Sequence, residues 1–123
     1  MSSRVEPAPI VISGSYLRCC LLLLIAEAPA HGYDLADRLS GLGLADVDSA
    51  AVYRALRALD EEGLVESWWE ESGSGPVRRR YRISAEGLTC LEAWAASVGQ
   101  SASRLSSFVA RHRRLRAVSA VGA

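Results

Sequence analysis

The chain has 123 residues, half of them hydrophobic, and 14 basic residues balance 14 acidic ones. That length builds one domain with a modest core, and the hydrophobic share excludes disorder throughout. A formal net charge of zero excludes a uniformly basic coat for nucleic acid, so the placement of the cations carries the information.

Every one of those cations is an arginine, and lysine and asparagine are absent. The cysteines are Cys19, Cys20 and Cys90, without a Cys-x-x-Cys pair, and the only histidines are His31 and His112. This set is too sparse for a zinc site or a disulfide framework, so reduced thiols, no metal and no cofactor are expected. The longest apolar run, Cys19 to Ala26, is too short for a bilayer span. The N-terminus lacks the apolar centre of a secretory signal, and a cytoplasmic location without membrane contact is expected.

In chain order, residues 1–12 read as a flexible arm, since Pro7 and Pro9 oppose regular structure. A first helix runs from Ser15 to Glu27, apolar nearly all round, and ends at Ala28-Pro29. A second, from Gly32 to about Ser40, carries Tyr33, Leu35, Ala36 and Leu39 on a helical period and closes at Gly41 and Gly43. Asp48 or Ser49 caps a third helix that reaches Glu62, with Gly63 in the terminal position. Its buried stripe is Val52, Ala55, Leu56 and Leu59. The opposite face carries Ala50, Arg54, Arg57 and Glu61, with Tyr53 at one shoulder. Arginines outward and leucines inward on a short helix is the layout of a recognition helix, although a solvated charged face has the same pattern.

Leu64 to Glu70 and Val77 to Ser84 read as strands joined by the turn around Gly73 to Pro76, a β-hairpin. Arg78, Arg80 and Arg82 alternate onto one face, and Arg79, Tyr81 and Ile83 onto the other. Four arginines this close repel one another unless an anion is near. Trp68 and Trp69 must point to opposite faces, one toward the core. From Ala85 to about Arg116 a single helix is expected, with a seam of Leu88, Leu91, Ala95, Val98, Ala102, Leu105 and Val109 in steps of three and four. No other element remains to cover that seam, which points to a second copy of the chain. The arginines of its far end (Arg104, Arg111, Arg113, Arg114 and Arg116) suit either a helix C-terminus or a DNA contact.

The fold class is therefore mainly α with a small β-hairpin: a winged helix-turn-helix at 13–84, a dimerisation helix at 85–117 and a flexible tail at 118–123. His31, beside a glycine where a helix begins, reads as a capping or packing residue. No nucleophile is paired with a base and no phosphate loop is present, so no catalytic residue and no enzyme is expected.

Three stretches resemble the PadR family of regulators: His31-Gly32-Tyr33-Asp34-Leu35, then Val52-Tyr53-Arg54-Ala55-Leu56-Arg57 on to Gly63-Leu64-Val65, then Gly75-Pro76-Val77-Arg78 on to Ser84. The resemblance covers about residues 16 to 90 and is closest to the short subfamily with one C-terminal dimer helix, which includes multidrug-responsive repressors. It implies a homodimeric repressor of an operator in double-stranded DNA, released by a small hydrophobic or aromatic effector. Carried over by position, Ser49, Tyr53, Arg54 and Arg57 meet DNA from the third helix, and Arg78, Arg79, Arg80 and Arg82 from the wing. An effector site falls to Ser15, Cys19, Leu22, Trp94 and Val98. Ala51 and Arg80 depart from the family pattern, which favours a hydroxyl residue and a tyrosine there. A winged helix that only sequesters a ligand, or that binds another protein, is the alternative.

Overall fold

A computed structural model describes residues 14–122 apart from 72 and 74. The expected arm at 1–12 lies outside the described residues. The element order is α1 (Gly14–Glu27), β1 (Ala30–His31), α2 (Gly32–Arg38), a 3-10 turn (Leu39–Leu42), α3 (Ser49–Glu61), β2 (Val65–Glu70), β3 (Arg78–Ile83) and α4 (Ala85–Gly122). Among the described residues no helix is long and apolar enough to cross a membrane.

α1 supplies more of the core than any other element. Cys20, Leu21, Leu22, Leu24 and Ile25 are buried, and Leu35, Leu39, Val52, Leu56, Leu59, Val65 and Tyr81 close around them. Pro29 stops the helix, because proline has no N–H to continue the ladder. The chain then makes a two-residue strand that the sequence pattern did not reveal. β1 pairs antiparallel with β3 (Ala30 opposite Tyr81, His31 opposite Arg80), so the expected hairpin is the larger part of a three-stranded sheet in the order β1-β3-β2.

Gly32 lets α2 press against α3: a Cβ there would stand 2.7 Å from the Tyr53 ring. The end of α2 tightens into the 3-10 turn, so the α-helix is shorter than the expected reach to Ser40. Asp48 caps α3 by accepting from the Ala50 N–H at 3.2 Å. At the other end Gly63 takes φ 75°, with Gly63 N–H donating to Asp60 O at 3.0 Å and Leu64 N–H to Leu59 O at 2.9 Å. This pair of bonds is a Schellman stop, and the positive φ suits glycine.

The same corner starts α4. Ser84 N–H donates to Leu64 O at 3.1 Å. The Ser84 hydroxyl donates to Gly63 O at 2.6 Å and accepts from Gly87 N–H at 3.0 Å. α4 has 38 residues, about 57 Å of helix. It runs to Gly122, so helical backbone extends through most of the stretch expected as a tail from 118. Only its first turns touch the body, through Gly87, Cys90, Leu91 and Trp94; the described residues from Ala95 to Ser119 are all exposed.

A Cβ at residue 87 would stand 2.0 Å from Leu64 O and 2.7 Å from Ile83 Cγ1. Gly87→Ala is expected to cost about 1–3 kcal/mol, as overpacking against backbone does. The check is the urea midpoint by circular dichroism; an unchanged midpoint would show that the corner yields freely.

Candidate nucleic-acid interface

α3 divides cleanly. Val52, Leu56 and Leu59 are fully buried, while Ser49, Ala50, Tyr53, Arg54, Arg57 and Glu61 face solvent, as the expected reading face requires. Neither Arg54 nor Arg57 has a carboxylate within ion-pair distance among the described residues. Both guanidiniums keep their bidentate donors free, the group that matches guanine O6 and N7 or a phosphate.

Beside this face lies a cleft of about 700 Å³ between α3 and the wing, lined by Tyr33, Tyr53, Arg57, Trp69, Val77, Arg78 and Arg79 among others. Tyr33, which sequence reasoning set on one helical period with Leu35, Ala36 and Leu39, is 73% exposed. At about 100° per residue it stands about 160° from Leu35, so a stricter reading of the period finds it.

The wing arginines do not form one set. Arg79 shares the core-side face with Tyr81, donates to Ser67 Oγ at 2.6 Å and to Asp60 Oδ2 at 3.3 Å, and its guanidinium stacks 5.1 Å from the Trp69 ring. Arg80 and Arg82 point to the outer face. Arg80 meets Glu70 at 3.2 Å, and Arg82 meets Glu66 at 2.7 Å while lying 5.5 Å from the Trp68 ring. The nearby anion that the crowded arginines need is thus supplied three times by the protein itself, by Asp60, Glu70 and Glu66. Arg78 alone of the four has no carboxylate partner among the described residues, and it lines the cleft. Trp68 and Trp69 do point oppositely, but neither joins the core: Trp68 is half-buried and Trp69 exposed, each with one arginine stacked on its ring. His31 makes no side-chain cap. It sits 3.6 Å from Asp34 and 3.5 Å from Glu70, between α2 and the wing.

A second concavity, about 630 Å³, runs between α1 and α4 and is lined by Tyr16, Cys19, Cys20, Leu23, Leu42, Leu88, Leu91, Glu92, Ala95 and Val98. It brings together Cys19 and Val98 of the expected effector site and leaves out the other three. Leu22 is fully buried in the core because its side of α1 faces the body. Ser15 is exposed in the first turn and does not line the groove. Trp94 turns to Arg18, whose guanidinium lies 5.6 Å from its ring and also pairs with Glu62 at the end of α3. Of the seam, Leu91 is half-buried; Leu88, Ala95, Val98, Ala102, Leu105 and Val109 are exposed. Phe108, Leu115 and Val118 are exposed apolar residues outside the seam the sequence suggested.

Burial pushes the Cys19 and Cys20 thiols up from the ordinary range. Tyr16 is raised by its hydrogen bond with Cys20 and then by burial; burial raises Tyr81.

A family model described as the transcriptional regulator PadR-like family matches residues 21–93. No curated protein sequence matches the chain. Among solved structures, a conserved protein described as a potential transcriptional factor is 31% identical, with 89% of this chain and 97% of that one covered and a TM-score of 0.72. A PadR-like transcriptional regulator from Bacillus cereus is 28% identical over 77% of this chain and 92% of its own, with a TM-score of 0.68. Bacillus subtilis PadR in complex with operator DNA is 22% identical over 65% of this chain and 46% of its own, with a TM-score of 0.60, a likeness of fold.

With both α1 thiols held protonated at neutral pH, a Cys90→Ser chain is expected to react with an aromatic disulfide reagent more slowly than free cysteine. The rate should climb only above the ordinary thiol range. Free-cysteine reactivity at neutral pH would contradict the burial of both groups.

Proposed function

This chain belongs to the PadR-like transcriptional regulator family, and from that premise we propose that it is a homodimeric repressor that reads a DNA operator. A small hydrophobic or aromatic molecule releases it. The observation that carries this reading is the division of α3: leucines fully buried on one side, Tyr53, Arg54 and Arg57 free and outward on the other. A merely solvated helix face has no reason to border a cleft whose far wall is a basic wing.

In this reading Arg54 and Arg57 meet base edges in the major groove, with Ser49 and Tyr53 positioning the helix on the backbone. Arg78 and Arg79 approach phosphate from the cleft side of the wing. Arg80 and Arg82 reach DNA only by leaving Glu70 and Glu66. Two copies place two reading helices in successive grooves, about 34 Å apart, on a roughly palindromic site. The exposed seam of α4 supports the dimer, since an isolated helix of that length with exposed leucine and valine gains little without a partner. The operator complex of the Bacillus subtilis protein supports DNA as the partner. As a gene regulator, and no enzyme, it acts in the cytoplasm.

The effector part rests on the apolar groove between α1 and α4, which lies along the dimer seam. A molecule wedged there acts only if it prefers one spacing of the two bodies over another. Planar aromatic compounds should then lower operator affinity, and a panel with no effect on DNA binding would remove this part of the proposal.

The decisive experiment titrates the chain against DNA from around its own gene at two salt concentrations. Arg54→Ala and Arg57→Ala should each cost about 1–3 kcal/mol and relax sequence preference. Arg78→Ala should weaken all sequences alike and reduce the salt slope by about one unit. Wild-type binding no tighter than to random DNA would favour the sequestering or protein-interaction alternatives.

A further inference from the structure

Binding of duplex DNA leaves most of the aromatic surface in the cleft between α3 and the wing without a partner. Among the described residues four aromatic side chains are exposed, and three of them, Tyr33, Tyr53 and Trp69, line this cleft. They come from α2, α3 and β2 and stand 73, 46 and 64% exposed. Large rings gathered from three elements on open surface mark a binding site. Two of them are held in place. The Tyr53 ring fills the space that a side chain at Gly32 would need. Arg79, bonded to Asp60 and Ser67, covers one face of Trp69.

A duplex gives such rings little, because it shows base edges in its grooves and keeps the base faces stacked. An unpaired base offers its face, and stacking on tyrosine or tryptophan tolerates any base. The charges of the cleft match the other end of a nucleotide. Arg57 on α3 and Arg78 on β3 both line it, neither with a carboxylate partner among the described residues. A terminal phosphate, with about 1.5 to 2 negative charges and three acceptor oxygens, can engage both guanidiniums. A carboxylate has one charge and is satisfied by one guanidinium. Asp60 also lines the cleft, an acceptor that a simple aromatic acid cannot use and that the amino group of a nucleobase can. The volume of about 700 Å³ falls within the roughly 300–1,000 Å³ of small-molecule sites.

We infer that this cleft takes a nucleotide unit, its base stacked among Tyr33, Tyr53 and Trp69 and its phosphate on Arg57 and Arg78. The unit can arrive as a free nucleotide or as part of an unpaired strand, and the chemistry is shared. The inference goes beyond the operator reading and does not depend on it. Where the chain also reads duplex DNA, both ligands need Arg57 and Arg78, so they exclude one another. A nucleotide held here displaces the operator directly, without any change in the spacing of two subunits.

The test is calorimetric titration of the full chain with adenosine 5′-monophosphate, adenosine, benzoate and a short deoxyadenosine strand. The monophosphate should bind and quench tryptophan fluorescence, and a Trp69→Phe chain should bind it without that quenching. Tyr33→Ala should raise its dissociation constant by roughly 5- to 150-fold, the loss of one stacking contact. Arg78→Ala should remove the advantage of the monophosphate over adenosine. These side chains are exposed, and circular dichroism checks that each variant folds. A strand that binds no tighter than the monophosphate assigns the cleft to a free nucleotide. A strand that binds tighter, with the same sensitivity to Tyr33→Ala, assigns it to unpaired nucleic acid. Benzoate bound as tightly as the monophosphate, binding indifferent to Tyr33→Ala, or no binding of either nucleotide ligand overturns the inference. Operator binding is titrated separately: its failure sinks the repressor reading and leaves this site standing, and the reverse result sinks the site alone.

Discussion

The structure turns on the carbonyl of Leu64. It accepts from Ser84 N–H, it packs against the bare Cα of Gly87, and it follows directly on the positive-φ Gly63 that ends α3. Reading helix, wing and long helix all meet within this one corner, and the Ser84 hydroxyl satisfies a group on each side of it. Arg18 adds a second tie, from Glu62 at the end of α3 to the face of Trp94 on α4. Because α4 is tied to α3 at two points, in the proposed dimer a change in how the two long helices cross would carry the two α3 helices with it. A regulator whose effector acts at the seam needs that stiffness.

Charge is arranged on the same scale. The formal balance of zero hides three populations of arginine. Arg57 and Arg78 line the cleft and Arg54 lies exposed on α3, all three without a carboxylate partner among the described residues; Arg79, Arg80 and Arg82 are held by carboxylates of the wing and α3, and the last five lie along α4. Composition alone treats these as equal. Their chemistry differs because a guanidinium already bonded to a carboxylate must exchange partners before it can bind phosphate, whereas a free one need only shed water.

Where a single helix face decided the outcome, the sequence was enough. The stripe of Val52, Leu56 and Leu59 gave α3 and its exposed arginines, and alternation around Tyr81 gave β3, because burial on one face imposes a period. Contacts between elements were not legible in the same way. β1 is two residues long and has no period to read. Leu22 and Leu23 are adjacent and chemically equal, yet one is core and the other lines the groove, which only the packing of α1 decides. Trp94 turns to Arg18, a cation on another helix far earlier in the chain, and such a pairing leaves no local trace. The acids beside the wing arginines were visible in β2, but their pairing depends on the strand register, which brings Glu66 directly opposite Arg82 and sets Glu70 diagonal to Arg80, its ion-pair partner.

That register has an evolutionary consequence. If the wing holds DNA as proposed, its grip is set as much by Glu66 and Glu70 on β2 as by the arginines of β3. Under that proposal, selection could strengthen or weaken the hold on DNA by changing an acid on the outer face of the sheet. Arg54 and Arg57, proposed to read the sequence, would stay untouched. Occupancy of a site and choice of site become separable traits, open to drift or selection one at a time.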